Sequence, residues 1–165
     1  LRAAYDDPIL MLGYFAGFVA RGDSIVLTLW LSHWVNDYVF LSGGTGAEAT
    51  AKAGMVTGIA QTCALCFAPV SGLLASRLGS LRTIVIVGLI AVVGYTGISF
   101  CSSPVSSLGI LFACIIGCGE IGVVVVSQAL VSQRSPSHIR GAVSGTFGLC
   151  GSLGILTCTK FGGYL

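Results

Sequence analysis

Charge is what this sequence is poorest in. Eight Lys and Arg and six Asp and Glu make up only 8% of its 165 residues, where soluble domains carry roughly 25%. Such a chain has too little polar surface to be an ordinary water-soluble fold. The net charge of +2 is too small and too unclustered for a nucleic-acid footprint or for steering acidic partners, so no nucleic-acid partner is expected. Disorder is excluded from the opposite side, because a disordered chain needs low hydrophobicity and high net charge. A cleavable signal is missing as well: Leu1 to Pro8 carries Asp6 and Asp7, and the apolar run that follows continues far beyond a signal core. The chain begins without Met and stops abruptly at Leu165, so a fragment of a larger protein is expected.

What the sequence has in plenty is apolar: 55% of residues are hydrophobic and a further 24 are Gly. A bilayer is the natural solvent for it. The seven Cys all fall inside apolar stretches, which argues against the disulfide framework of a short secreted domain. Cys63 and Cys66 form a CxxC, and Cys114 and Cys118 lie one helical turn apart, yet no His or second Cys pair is near either in sequence. They read as small buried apolar residues rather than metal ligands, and no metal is expected.

Crossing a core about 30 Å thick takes about 20 apolar residues at 1.5 Å each. Five such runs appear: about 8–35, 53–75, 83–101, 107–131 and 141–165. The first opens with Pro8 at a plausible first turn. The second contains Pro69, which should kink it unless neighbours satisfy the freed carbonyl. The third carries no charge. Strands are not expected, because the period-two alternation of a barrel is missing. The fold class is an all-α membrane protein with five transmembrane helices.

The breaks between runs set orientation, since Lys and Arg are retained on the cytoplasmic side. Arg2 precedes the first run, Arg77 and Arg82 bracket the turn after the second, and Arg134 and Arg140 flank the turn after the fourth. The Ser102–Ser106 link has no basic residue and the longer Asn36–Lys52 link only Lys52. The amino end and the two Arg-rich turns are therefore placed in the cytoplasm.

Ionisable groups at membrane depth cost roughly 2.5 to 3.5 kcal/mol each and normally face a cavity or a partner. Arg21 and Asp23 stand mid-way along the first run and Glu120 mid-way along the fourth. One reading is a buried ion pair, Arg21 with Glu120, that only fixes packing. The reading preferred here is a substrate or ion pathway, to which Gln61 and Gln128 are added as polar candidates. Helical geometry places Gly13, Gly17, Ala20, Ser24, Thr28 and Ser32 on a face flanked by Arg21, while Asp23 points elsewhere with Ala16, Leu27 and Trp30. Residues two apart on a helix do not meet, so Arg21 and Asp23 need different partners unless Gly22 marks an unwound break. In the fourth run Gly109, Ala113, Gly117, Glu120, Ser127 and Gln128 gather on one side. The charges centred in these small, polar stripes predict a water-filled vestibule shared by Arg21, Asp23 and Glu120. The fifth run reads instead as close helix packing through Gly141, Gly145, Gly148, Gly151 and Gly154. His33, beside Trp30 and Trp34, reads as interfacial, and Lys160 can snorkel outward.

The turn Gly72-Leu73-Leu74-Ala75-Ser76-Arg77-Leu78-Gly79-Ser80-Leu81-Arg82 resembles the G-x-L-a-D-r-x-G-r-k signature of major facilitator superfamily transporters. Ala16-Gly17-Phe18-Val19-Ala20-Arg21-Gly22-Asp23 is similar to the seventh helix of a subgroup of that family, and Arg140-Gly141-Ala142-Val143-Ser144-Gly145, followed by Gly148, Gly151 and Gly154, to the eleventh. The resemblance covers nearly the whole chain. It implies helices seven to eleven of a twelve-helix protein, without the amino-terminal half and the twelfth helix. It further implies that the first and fourth runs line a central cavity, that the third lies against lipid, and that Gly72, Arg77, Gly79 and Arg82 form a cytoplasmic gating turn. Ser76 stands where the signature has Asp, so the charge relay of that turn is incomplete here.

The function expected is secondary transport of a small solute by alternating access. Arg21 would meet an anionic group and Asp23 and Glu120 would couple protons or cations. The partners expected are a small-molecule substrate, protons and the lipid bilayer of a plasma membrane or bacterial inner membrane. The rival is a non-transporting membrane subunit or receptor-like remnant whose charges pair permanently. With no nucleophile and base pairing, no metal cluster and no phosphate loop, neither an enzyme nor a cofactor is expected.

Overall fold

The computed structural model describes residues 7–163; Arg2, Tyr164 and Leu165 lie outside them. All regular structure among the described residues is helical. Five stretches are long and apolar enough to cross a membrane: Pro8–Leu41, Gly46–Leu78, Ser80–Ser99, Ser107–Arg134 and Ser137–Gly162. The first is two helices, α1 (Pro8–Ile25) and α2 (Leu31–Leu41), joined by a π-helical turn, Val26–Trp30. Then come α3 (Gly46–Leu78), α4 (Ser80–Ser99) and α5 (Ser107–Arg134), and, after a 3₁₀ turn at Ser137–Ile139, α6 (Arg140–Gly162).

Helix starts follow capping chemistry. Asp7 accepts from the Ile9 backbone N–H at 2.9 Å, with Pro8 in the first turn of α1, and Ser106 accepts from the Gly109 N–H at 3.0 Å ahead of α5. The link expected over Asn36–Lys52 shrinks to residues 42–45. Hydropathy marks only the segment that lipid will hold, whereas the backbone ladder runs on through polar residues that suit a helix. Thr45 caps α3 by accepting from the Glu48 N–H at 3.3 Å, and Lys52 pairs with Glu48 one turn away at 2.8 Å. Pro69 lies inside α3, which continues as helix to Leu78. Gly22 marks no break. The irregularity comes four residues later, where the Leu31 N–H reaches back to the Val26 carbonyl to close the wider turn.

Gly79 alone joins α3 to α4, at φ +86°, a conformation in which a side chain would be strained. The buried Ser80 beside it donates to Gln133 of α5 at 3.1 Å, and Arg134 approaches Asp7 at 4.0 Å. The start of α1, the Gly79 turn and the end of α5 thus lie together, at the end that the basic residues assign to the cytoplasm.

α5 is the central helix. It packs against α4, α3 and α1, while α6 packs chiefly on α1. An apolar cluster joins Leu27, Leu31, Val35 and Val39 to Ala49, Ala53, Val56 and Ala60 of α3 and to Ala113 and Ile116 of α5. A second, at the other end, joins Leu10 and Tyr14 of α1 to Val131, Val143 and Phe147. Burying such side chains contributes roughly 1.5 to 3 kcal/mol each in water, but lipid offers little of that gain. Close backbone contact carries more of the packing here. At the α1–α6 seam Gly154 lies under the Phe18 carbonyl and Gly22 lies against Gly154. The face of α6 turned to α1 carries Val143, Phe147, Gly151 and Gly154, its buried residues. Gly141, Gly145 and Gly148 fall off that line, and an added Cβ there would meet nothing within 4 Å. Of the five glycines expected to make close contact, Gly151 and Gly154 make it and Gly141, Gly145 and Gly148 do not.

Candidate functional site

The middle of α1 presents three polar side chains in four residues and sends them to different places. Arg21 is exposed and lies across α6, where a side chain at Gly151 would press on its Cγ at 2.8 Å. It lines a groove of about 340 Å³ together with Gln128 of α5 and Ser144, Gly148, Gly151 and Ser152 of α6. Among the described residues no carboxylate forms an ion pair with it, the two pairs present being Glu48–Lys52 and Asp7–Arg134. The groove therefore holds a cation with no ion-pair partner among the described residues and with hydroxyl and amide groups beside it, a donor set suited to an oxyanion.

Asp23 points the other way, as the helical wheel predicts, and accepts a hydrogen bond from the Tyr95 hydroxyl of α4. The next residue, Ser24, donates to Glu120 Oε1 on α5. Glu120 is only 6% exposed. Its second oxygen, Oε2, is buried without a hydrogen-bond partner among the described residues, an unusual and costly state for a carboxyl group. Beyond Tyr95 lies an apolar pocket of about 240 Å³ lined by Leu27, Trp30, Trp34, Tyr95, Ile98 and Ile116, among others.

The single vestibule expected around Arg21, Asp23 and Glu120 is thus divided. Arg21 and Gln128 line the groove, whereas Asp23 and Glu120 are held between helices by Tyr95 and Ser24. The small-residue stripe of α5 is itself packed: Gly109 lies under the Ser103 and Pro104 carbonyls and Gly117 under the Ala60 carbonyl of α3. Arg21 and Glu120 form no direct salt bridge. Gln61 is half-buried on α3 and makes no hydrogen bond there. Tyr95 is the residue that the sequence hides. It stands in the charge-free third run, where an aromatic residue has the same appearance as a lipid-facing one, and its partner is 72 positions away.

Within and just after the π-turn the hydroxyls of Thr28 and Ser32 donate to the carbonyls of Ser24 and Thr28 at 2.6 and 2.8 Å. Ser32 also meets Thr57 of α3 at 2.8 Å. In the turn from Gly72 to Arg82, Arg77 and Arg82 are exposed and form no ion pair among the described residues. Ser76 donates to its own helix at the Leu73 carbonyl, 2.8 Å away, leaving no carboxylate at the signature's acidic position. A Cβ added at Gly72 would meet nothing within 4 Å. Among the described residues no group of three or more His, Cys, Asp or Glu gathers closely enough to hold a metal ion.

The chain is 32% identical over 158 residues to the magnetosome protein MamZ of Magnetospirillum gryphiswaldense and 31% identical to MamZ of Paramagnetospirillum magneticum. It is 26% identical to the magnetosome protein MamH of Paramagnetospirillum magneticum. Each match covers 96% of this chain but only 24% of either MamZ and 37% of MamH, so the chain spans about a quarter to somewhat over a third of these relatives. No solved structure matches it. The family model described as Major Facilitator Superfamily covers residues 1–157, and with five helices long and apolar enough to cross a membrane the chain is a multi-pass integral membrane protein belonging to the major facilitator superfamily.

Proposed function

We propose that the protein containing this chain is a secondary transporter moving a small anionic solute by alternating access, with Glu120 as its proton carrier. The observation that carries the reading is Glu120 itself: a carboxyl group in mid-span, almost fully buried, with one oxygen bonded to Ser24 and the other free. A side chain so placed takes up a proton when one face of the membrane opens to it and releases it to the other. Arg21, in the groove beside α6, holds the solute's negative group, with Gln128, Ser144 and Ser152 as neutral contacts. Asp23, tied to Tyr95, is the second acidic group of the pathway and follows Glu120 rather than the solute. The membrane we assign is a bacterial inner membrane. The names of the relatives make a magnetosome the alternative, which membrane fractionation decides.

The deciding experiment uses the full-length protein in proteoliposomes, with flux of candidate anions driven by an imposed pH gradient. Glu120→Gln should abolish gradient-driven accumulation while leaving insertion and gradient-independent exchange in place. Undiminished pH-driven uptake in that variant would overturn the proton assignment. Absence of any flux from the unaltered protein, across anionic solutes, would favour the non-transporting reading.

A further inference from the structure

The Ser24 hydroxyl has one proton to give and two acceptors within reach. One is the Ala20 carbonyl, a turn back on its own helix at 3.2 Å; the other is Glu120 Oε1 on α5. The hydroxyls that follow on the same face of the first crossing make shorter bonds to their own helix, Thr28 to the Ser24 carbonyl at 2.6 Å and Ser32 to the Thr28 carbonyl at 2.8 Å. Of the three, Ser24 alone holds its carbonyl beyond the usual O–H···O range, because its hydroxyl is turned to the carboxyl group. A hydrogen bond to an ionised acceptor is roughly twice as strong as one to a neutral acceptor, so a carboxylate draws the hydroxyl away from a peptide carbonyl. Once Glu120 carries a proton both acceptors are neutral, and that advantage is gone. Glu120 is 6% exposed and Ala20 2%, so the contest takes place where little water can step in for either acceptor.

We propose that Ser24 is a positioning residue that couples Glu120 to Arg21: its hydroxyl stays on Glu120 while that group is a carboxylate and returns to the Ala20 carbonyl when it is protonated. The Ala20 carbonyl and the Arg21 N–H share one peptide plane, so the second bond acts on the backbone that carries the guanidinium in the groove. A hydroxyl bonded to the carbonyl four residues earlier bends its helix slightly, and each proton taken up thus alters how Arg21 is presented to a solute. This coupling rests on the reading of Glu120 as the proton carrier. The titratable groups facing Glu120 are Arg21 and Asp23 of α1 and Tyr95 of α4, the last donating to Asp23. The other helices packed on α5 are α3 and α6. They carry their charged residues only near their ends, Glu48, Lys52 and Arg77 on the one and Arg140 and Lys160 on the other.

The test uses the full-length protein in lipid vesicles and needs no solute. Labelling alanine carbonyls with carbon-13 and arginine amides with nitrogen-15 singles out Ala–Arg peptide bonds in solid-state NMR, and the Ala20–Arg21 signal is the one lost in Arg21→Lys. Infrared difference spectra across the same pH series follow the carboxyl band of Glu120, identified by its loss in Glu120→Gln. The Ala20 carbonyl signal should move in step with that band. Ser24→Ala and Glu120→Gln should each hold it still at every pH, and Ser24→Thr, which keeps the hydroxyl, should restore the movement, which separates a lost bond from a damaged fold. A signal that stays fixed while the Glu120 band titrates, that titrates undiminished in Ser24→Ala or Glu120→Gln, or that Ser24→Thr fails to restore would overturn the coupling and leave the proton assignment standing. Absence of a titrating Glu120 band would remove both.

Discussion

Two flanks of one helix, at nearly the same depth, treat charge in opposite ways. On the flank of α1 that meets α6, Arg21 is exposed in a groove and forms no ion pair among the described residues. On the flanks that meet α4 and α5, Asp23 and Ser24 are spent on hydroxyl–carboxyl bonds with Tyr95 and Glu120. A cation left open to water invites a ligand from outside the chain, whereas buried carboxyl groups with hydroxyl partners exchange at most a proton. A central charge in a membrane helix does not by itself say which of the two it is. The neighbouring helix decides.

Both flanks depend on the α1–α6 seam, so the largest effect is expected where the seam is tightest. Gly154→Val would force a branched side chain into the Phe18 carbonyl, backbone that cannot rotate away, and should cost about 3 kcal/mol of stability, read as a fall in the thermal midpoint in detergent. Arg21→Ala acts on the open flank alone. It should weaken binding of an anionic solute roughly thirtyfold, equivalent to about 2 kcal/mol, at unchanged folded yield. A loss of folded protein instead would make Arg21 a structural residue. Tyr95→Phe acts on the closed flank, removing the hydroxyl that Asp23 accepts from while keeping the ring. It should cost about 1.5 kcal/mol in the unfolding transition and leave anion binding as it was. If Tyr95→Phe and Arg21→Ala changed the same property by similar amounts, the two flanks would be one site after all.

The order and number of spans were legible because hydropathy reports what lipid will accept, and the five apolar runs are also the five membrane-crossing helices. Their ends were less so. Helix formation continued through Asn36–Leu41 and from Gly46, where a Thr45 cap and the Glu48–Lys52 pair, not hydropathy, set the limits. The separation of Arg21 from Asp23 followed from a 100° turn per residue and held. What periodicity cannot supply is the partner. Glu120 was placed on the polar side of its helix, yet that side turned out to be packed against α1 and α3, because Gly117 and Gly109 admit backbone where a larger residue would hold a gap. Tyr95 was invisible for the same reason: its role exists only once its hydroxyl reaches Asp23 of α1 from a helix packed on α5. The cysteines were read as bland one helix at a time, and only the crossing of α3 with α5 brings the Cys118 thiol to the Cys63 carbonyl.

The wide turn at Val26–Trp30 has a geometric effect on everything that follows it. A five-residue step takes in one residue more than an ordinary turn, and so rotates the remainder of the rod by about 100° relative to an unbroken spiral. Leu31, Val35 and Val39 are thereby aimed at α3, and Ser32 comes within reach of Thr57. Excising a single residue there would let the spiral close up regularly and swing that whole outer segment off its neighbour, while the inner portion, with Arg21, Asp23 and Ser24, stayed where it is. The two portions of the first crossing are thus aimed by different neighbours, the one before the turn by α5 and α6 and the one after it by α3.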